Sequence, residues 1–306
     1  MPRASTAGEP SQAGAAHQGL RPAMRALCRS VGILPLPVVH VLGGTAARIA
    51  MRLARRERRR LAENLRAAGF DDTKLVRAAA AEAGKTLLEM LWLWQRPQSE
   101  IVKLVRSVEG ESHVVEAKAR GKGIIFLTPH LGCFEVAAQY AGSWAPITVL
   151  YRPPRQRMFR AIARAGRDRG SVRLVPADTK GASALLGALR KAEWVGVLPD
   201  QVPTRGEGEW AEFFGRLAYT MTLTIRLAQR TGATVLLCFC ERLPRGAGYR
   251  IHLEPLPPRE PGESAARQLN RALEGLIRRK PEQYLWSYNR YKVPAGVTPP
   301  EPPSPG

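Results

Sequence analysis

The chain has 306 residues, of which 44% are hydrophobic, and its 47 Lys and Arg against 26 Asp and Glu give a formal net charge of +21. This length and apolar content suffice for one sizeable globular domain, and the lack of an internal repeat excludes a solenoid or propeller. The positive charge indicates an anionic partner, but it does not distinguish nucleic acid, lipid headgroups, phosphorylated substrates and acidic proteins.

The two ends of the chain have compositions that disfavour a folded core. Residues 1–20 are rich in small and polar residues and lack a secretory hydrophobic core, and residues 294–306 contain six prolines. We therefore expect a disordered amino terminus and a disordered Pro-rich tail. The cysteines at 28, 133, 238 and 240 include no CxxC pair, which predicts reduced, packed thiols.

An uncharged segment, SVGILPLPVVHVLGGTAA, occupies residues 30–47, and six arginines follow between Arg52 and Arg60. Its prolines and paired glycines disfavour a continuous membrane-crossing helix. We interpret residues 21–60 as a helical segment that lies in the membrane interface, with the arginines on anionic headgroups at its cytoplasmic side. A buried helical hairpin followed by a solvated arginine face is the alternative.

The rest of the chain predicts an α/β domain over residues 61–293. Two helices, at 53–69 and 73–96, precede an alternation of short apolar runs with amphipathic stretches. The predicted strands cover 123–128, 147–151, 172–176, 195–199, 234–242 and 249–256, and the predicted helices cover 133–143, 155–169, 180–192, 219–231 and 263–280. This order indicates a mixed central sheet flanked by helices, with ligands at the loops that follow the strands.

The segment GIIFLTPHLGCFE combines a buried strand, a turn and the start of a helix. Positions five apart on one helix face away from each other, so His130 must precede the helix that carries Glu135 if the two are to meet. In that arrangement the Glu135 carboxylate would accept the Nδ1 proton and leave Nε2 as a general base. An acceptor hydroxyl could then attack a thioester directly, without a protein nucleophile. A structural histidine is the alternative.

Many blocks of this sequence resemble, in order, the bacterial lipid A biosynthesis acyltransferases, a family with glycerolipid-acyltransferase-like architecture. The matching blocks are ILPLPVVHVLGG, ENLRAAGF, TPHLGCFE, YRPP, GRDRG, LPDQ, FFGR, LAQRTGATVL and PEQYLWSYNRYK. The resemblance covers roughly residues 25–292. It implies transfer of a fatty acyl chain from acyl carrier protein, or from CoA, to a lipid hydroxyl at the cytoplasmic face of the cell inner membrane, without a metal or cofactor.

The resemblance also implies roles for individual residues. His130 and Glu135 match the catalytic pair, and Arg167 and Arg152 become candidates for binding the oxyanion or an acceptor phosphate. Asp200 could position Arg167 or the acceptor. Ordinary surface arginines, and an aspartate that caps a turn, are the alternatives for these three positions.

Two further functions stay open. In the first, the protein is an acyltransferase of the same family that acts on another glycolipid, a phospholipid or an aminolipid. This alternative is open because Tyr288 and Asn289 stand where the family ending has a histidine. In the second, the protein would be a non-catalytic polyanion- or membrane-binding protein with a structural His–Glu pair. The arginines are spread along the chain and form no recognisable nucleic-acid module, so we expect no nucleic-acid partner.

Overall fold

The computed structural model describes residues 22–154 and 157–300. The predictions for residues 1–20 and 301–306, and the first two residues of the helix predicted from 155, lie outside these ranges. Residues 294–300 form an irregular chain, in which the Thr298 carbonyl accepts a 3.0 Å hydrogen bond from Trp210 Nε1.

A seven-stranded mixed sheet forms the centre of the domain, in the order β1-β9-β8-β2-β5-β3-β4. All neighbouring strands are parallel except β8 and β9. Strands β2 and β5 are buried along their whole length, as expected for central strands covered on both faces. The strands are β1 Val105–Glu109, β2 Ile124–Leu127, β3 Ile147–Tyr151, β4 Val172–Pro176, β5 Trp194–Val197, β8 Thr234–Arg242 and β9 Tyr249–Pro255.

Helices cover both faces of this sheet, which confirms the predicted α/β class with a mixed central sheet flanked by helices. They are α1 Pro22–Ile33, α2 Leu36–Leu53, α3 Arg55–Ala67, α4 Thr73–Leu93, α5 Gln98–Val102, α6 Glu111–Ala119, α7 Phe134–Trp144, α8 Arg157–Arg167, α9 Thr179–Arg190, α10 Leu223–Thr231 and α11 Ala265–Arg279. Single 3-10 turns lie at Pro244–Gly246 and Pro281–Gln283.

The largest departure from the predicted pattern is a separate hairpin of β6 Gly208–Phe213 and β7 Arg216–Met221, which occupies the start of the helix predicted at 219–231. Strand β1 and helix α6 were not predicted either. Its turn places both Phe214 and Gly215 at positive φ, at 48° and 71°. A phenylalanine is an unusual residue at that position, where Asn or Asp is the common hairpin signal. The hairpin therefore has no conventional turn signature in the sequence.

The amino-terminal helices pack against α4, and the prolines and glycines of the segment at 30–47 play separate roles. Pro35 precedes α2 and separates it from α1, and Pro37 lies in the first turn of α2, where proline is tolerated. Gly43 lies inside α2 against Gly84 of α4, and a Cβ on Gly43 would lie 2.6 Å from the Gly84 carbonyl oxygen. The expectation that these glycines break the helix is therefore wrong, because they permit close packing of two helices.

Helix α2 is buried on one side and apolar on the exposed side. Its exposed apolar side chains are Val38, Val41, Leu42, Ile49 and Leu53. Within residues 22–154 and 157–300, none of the helices combines the length and the apolar content that a bilayer crossing needs. The alternative of a buried helical hairpin at residues 30–47 is met in part: α2 packs on the domain with one face, and its other face is exposed.

A buried group of charged side chains ties α2 and α4 to the end of β8. The Arg242 guanidinium donates to both Glu89 oxygens, to Glu82 and to Thr86, while His40 of α2 lies 2.7 Å from Glu89. Arg242 and Glu89 are each 1% exposed. Burial alone would raise the pKa of Glu89, but the Arg242 charge and the His40 hydrogen bond hold it well below its ordinary value. A buried carboxylate of this kind stays ionised only while its partners remain.

The four cysteines are buried free thiols, as predicted.

Near the carboxyl end of the domain, Trp286 and Arg290 are buried, and Arg290 donates to the Tyr219 carbonyl and to Thr220 Oγ1. One aromatic and one basic residue of the segment PEQYLWSYNRYK therefore pack in the core of the domain.

Candidate active site

Two neighbouring parallel strands bring His130 and Asp200 together. Leu127 of β2 pairs with Val197 of β5, and each functional side chain lies three residues beyond its strand end. The Thr128 N–H donates to the Val197 carbonyl at 3.0 Å and extends the pairing by one residue. The carboxyl ends of parallel strands are where open α/β sheets place ligands.

Asp200 holds His130 by two hydrogen bonds. Its Oδ1 lies 2.8 Å from His130 Nδ1, and its Oδ2 accepts from the His130 backbone N–H at 2.9 Å. The Asp200 side chain is 3% exposed. Burial alone would raise the pKa of Asp200, but the His130 ring and backbone N–H hold it below its ordinary value. An ionised Asp200 fixes the tautomer with the proton on Nδ1.

This geometry corrects the prediction for the acidic partner. We expected Glu135 to accept from Nδ1 and Asp200 to position Arg167 or the acceptor. In the structure Asp200 accepts from Nδ1, and no hydrogen bond joins His130 to Glu135 in the part of the chain that is described. The physical reason is the strand register, which places Asp200 behind the imidazole while Glu135 leaves on the first turn of α7.

Gln201 completes the surroundings of the imidazole, and the sequence reasoning missed it. Its Nε2 lies 3.2 Å from His130 Nε2, so the amide donates to the ring nitrogen that carries no proton. Its position directly after Asp200 in LPDQ, past a buried strand, was the available signal. The lone pair of His130 Nε2 thus faces the Gln201 amide at the pocket wall. In base catalysis by a histidine, the hydroxyl that loses its proton occupies the place of this amide.

Glu135 forms a separate pair with Arg167, which comes from the end of α8. Arg167 Nε lies 2.8 and 2.9 Å from the two Glu135 oxygens, its Nη2 donates to the same carboxylate, and Trp94 Nε1 donates to Glu135 at 3.3 Å. Burial alone would lower the pKa of Arg167, but the Glu135 carboxylate raises it above its ordinary value. Arg167 is therefore a half-buried cation that Glu135 holds in place, and not an ordinary surface arginine.

These groups line a pocket of about 330 Å³. Its walls include His130, Glu135, Gln201, Arg167 and Arg152. Four of the five predicted site residues thus face one pocket, and the fifth, Asp200, lies behind His130. The Tyr151 hydroxyl, at the end of β3 in the same wall, is buried without a hydrogen-bond partner among the described residues, and burial raises its pKa.

A narrow apolar slot runs beside this pocket, between α7 and the sheet. Phe134, Ala138, Val149 and Leu198 line both spaces. The slot continues away from His130 along apolar side chains of Ala141, Trp144, Ile147, Trp194, Ile251 and Leu253. Such a wall accepts a hydrocarbon chain and offers almost no partner to a polar group.

The sequence matches the profile of a family described as bacterial lipid A biosynthesis acyltransferase over residues 19–293. The chain belongs to this family. It is 28% identical to a lipid A biosynthesis lauroyltransferase of Escherichia coli (strain K12), over 86% of this chain and 89% of that protein. It is also 28% identical to the palmitoleoyltransferase of the same strain, over 85% and 87%, and 25% identical to its myristoyltransferase, over 82% and 78%.

The names of these relatives specify three different acyl chains at similar identity. Membership of the lipid A acyltransferase family therefore does not specify an acyl-chain length. In the motif of a histidine, four residues and an acid, the two residues do not bind each other in this protein. His130 binds Asp200, and Glu135 binds Arg167.

Proposed function

We propose that this acyltransferase moves a fatty acyl chain from acyl carrier protein to a hydroxyl of a lipid A precursor, with His130 as general base. The observation that carries the proposal is the chain of hydrogen bonds from Asp200 through His130 to Gln201, at the wall of a pocket beside an apolar slot. The donor thioester is a co-substrate, and the chemistry requires no cofactor.

In the proposed reaction the acceptor hydroxyl replaces the Gln201 amide at His130 Nε2. The hydroxyl oxygen attacks the thioester carbonyl carbon while Nε2 takes the hydroxyl proton. The imidazolium so formed is stabilised by the ionised Asp200 at Nδ1. Collapse of the tetrahedral intermediate breaks the carbon–sulfur bond, and the departing thiolate takes the proton from Nε2, which restores the neutral imidazole.

Arg167 is the proposed electrostatic partner of the oxyanion. Its Nε and Nη2 are held by Glu135, and its guanidinium also lies beside Tyr151 at the pocket wall. A cation fixed in advance at a partly enclosed wall stabilises developing negative charge without reorganisation. Glu135 is therefore a positioning residue for Arg167 and not the partner of the base.

The acyl chain is proposed to occupy the apolar slot, with the thioester at its open end near Phe134 and Leu198. Each buried CH₂ group contributes about 0.8 kcal/mol, so the depth of the slot selects chain length.

The acceptor is proposed to arrive from the cytoplasmic face of the inner membrane. The exposed apolar face of α2 is followed directly by the arginines of α3, an arrangement that suits an anionic lipid surface. Leu87 of α4 is 66% exposed and also lines the catalytic pocket, so apolar surface reaches the pocket wall. The net charge of +21 also suits an acidic carrier protein as donor partner.

The test is mass spectrometry of lipid A from cells that lack this protein and are complemented with wild type or with His130→Ala. We expect wild type to restore one acyl chain and the variant to restore none, with equal amounts of folded protein. A missing chain on another lipid would assign a different acceptor. Full restoration by His130→Ala would refute the base role and favour a non-catalytic binding protein.

A further inference from the structure

A second cavity, of about 470 Å³, adjoins the catalytic pocket. The two spaces share Leu150, Arg152, Ala177 and Met221 in their walls. The second cavity continues from there between α9, α10 and the loop at 203–207. A ligand that reacts at His130 can therefore extend into this space.

The cavity has an apolar floor and a cationic side. Leu186, Leu223 and Leu227 contribute the floor, and Arg226 and Arg230 project from α10 one turn apart. With Arg152, three guanidinium groups line one continuous space. This combination suits an anionic group attached to an apolar or extended molecule.

Among the described residues, the two acidic side chains of the cavity form no ion pair with these arginines. Asp178 accepts from the Gly181 backbone N–H at 3.0 Å, and Glu207 accepts from the Thr204 backbone N–H and hydroxyl. In the described ranges, the guanidinium groups of Arg152, Arg226 and Arg230 form no ion pair or side-chain hydrogen bond. Their donors are thus available to a ligand.

We infer that this cavity binds a phosphate ester of one substrate of the proposed acyl transfer, through Arg226 and Arg230, with Arg152 at the junction with the catalytic pocket. Guanidinium groups match the geometry of phosphate oxygens and bind them in pairs. The inference rests on the proposed function. The ester has two possible sources, namely the acceptor glycolipid or the phosphopantetheine arm of the donor.

The experiment measures binding on the His130→Ala chain, so that no turnover interferes. The probes are a synthetic glycolipid acceptor with and without its phosphate monoester, and an acyl-pantetheine with and without its 4′-phosphate. Arg226→Gln/Arg230→Gln is compared with Arg190→Gln, an exposed arginine on α9 that does not line the cavity.

We expect the double variant to raise the Kd of one phosphorylated probe about tenfold and to leave its unphosphorylated counterpart unchanged. Added salt should reduce this difference, because the arginines are partly exposed. A change for the phosphorylated acceptor assigns the subsite to the acceptor, and a change for the phosphorylated pantetheine assigns it to the donor. Arg190→Gln should alter neither.

Equal Kd values for the double variant and the parent with all four probes would overturn the inference, as would an equal effect of Arg190→Gln. Failure of the proposed function is a separate result. It would appear as absence of acyl transfer by the wild-type chain, whatever the two cavity arginines bind.

Discussion

Asp200→Asn should abolish most of the activity although it removes only one oxygen atom. Both Asp200 oxygens accept hydrogen bonds, one from the His130 backbone N–H and one from Nδ1. Asparagine has one acceptor and one donor. If the amide oxygen of the asparagine faces His130 Nδ1, its NH₂ group faces the backbone N–H, and two donors oppose each other. If the amide oxygen faces the backbone N–H, the NH₂ group donates to Nδ1, which forces the imidazole proton onto Nε2 and removes the base. Serine proteases with this Asp–His pairing lose about 10⁴-fold in kcat on the same change.

We therefore expect kcat to fall by about 10³- to 10⁴-fold, which corresponds to about 4 to 5.5 kcal/mol in the activation free energy. The assay is acyl transfer in vitro at saturating donor and acceptor, with thermal unfolding to confirm that the variant folds. ¹⁵N NMR of the ring nitrogens gives a readout that does not depend on turnover. The His130 signal, assigned by its loss in His130→Ala, should report the Nδ1–H tautomer in wild type and an Nε2–H population in Asp200→Asn.

Glu135→Gln is the matched comparison, since it also replaces a buried carboxylate at the pocket. It should lower kcat through the loss of the ion pair with Arg167, yet leave the His130 tautomer unchanged. The reasoning is refuted if Asp200→Asn retains kcat within about threefold of wild type, or if Glu135→Gln is the variant that shifts the tautomer.

Three further expectations follow from the packing and the buried charges. Ala141→Leu, which fills the apolar slot, should shift the preferred donor by about two to three carbons towards shorter chains in a competition assay, while Ala119→Leu on an exposed helix end should not. Arg242→Met removes the guanidinium that Glu82 and Glu89 share, and it should lower the free energy of unfolding by about 3 to 5 kcal/mol in urea titrations, against little change for Arg190→Met. The folded-state pKa of Glu89 lies below its unfolded value of about 4.3, so its stabilisation is present above that pH and is lost as the pH falls from about 4 towards 2. Glu89→Gln should flatten this acid limb, and an unchanged slope would contradict the ion-pair assignment.

The central sheet was predictable because its strands are short, buried and apolar on both faces. The runs at 147–151, 172–176 and 234–242 match observed strands to the residue. The missed elements have weaker signals. Strand β1 has the sequence VRSVE, which is mostly polar and lacks strict alternation, and it lies at the sheet edge. The β6–β7 hairpin turns through Phe214 at positive φ, a conformation that a phenylalanine does not predict.

The members of the site were predictable, but their partners were not. His130, Glu135, Arg167 and Arg152 were found from a motif and a resemblance, and all of them line one pocket. Sequence spacing counts residues along the chain, whereas the His130 partner is set by the pairing of β2 with β5. That register brings a residue 70 positions away to Nδ1.

There is a physical reason for Asp200 and Glu135 to bind different partners. A carboxylate shared between an imidazole and a guanidinium would be less effective for the base, since the guanidinium occupies the oxygens that the imidazole needs, and Arg167 donates to both Glu135 oxygens. Among the described residues Asp200 forms no ion pair with an arginine or lysine, and its two oxygens accept from the His130 ring and from the His130 backbone N–H. In the proposed mechanism, Arg167, held by Glu135, faces the oxyanion, and neither residue takes the proton that His130 removes. Two carboxylates with separate partners can thus support proton transfer and charge stabilisation in the same reaction.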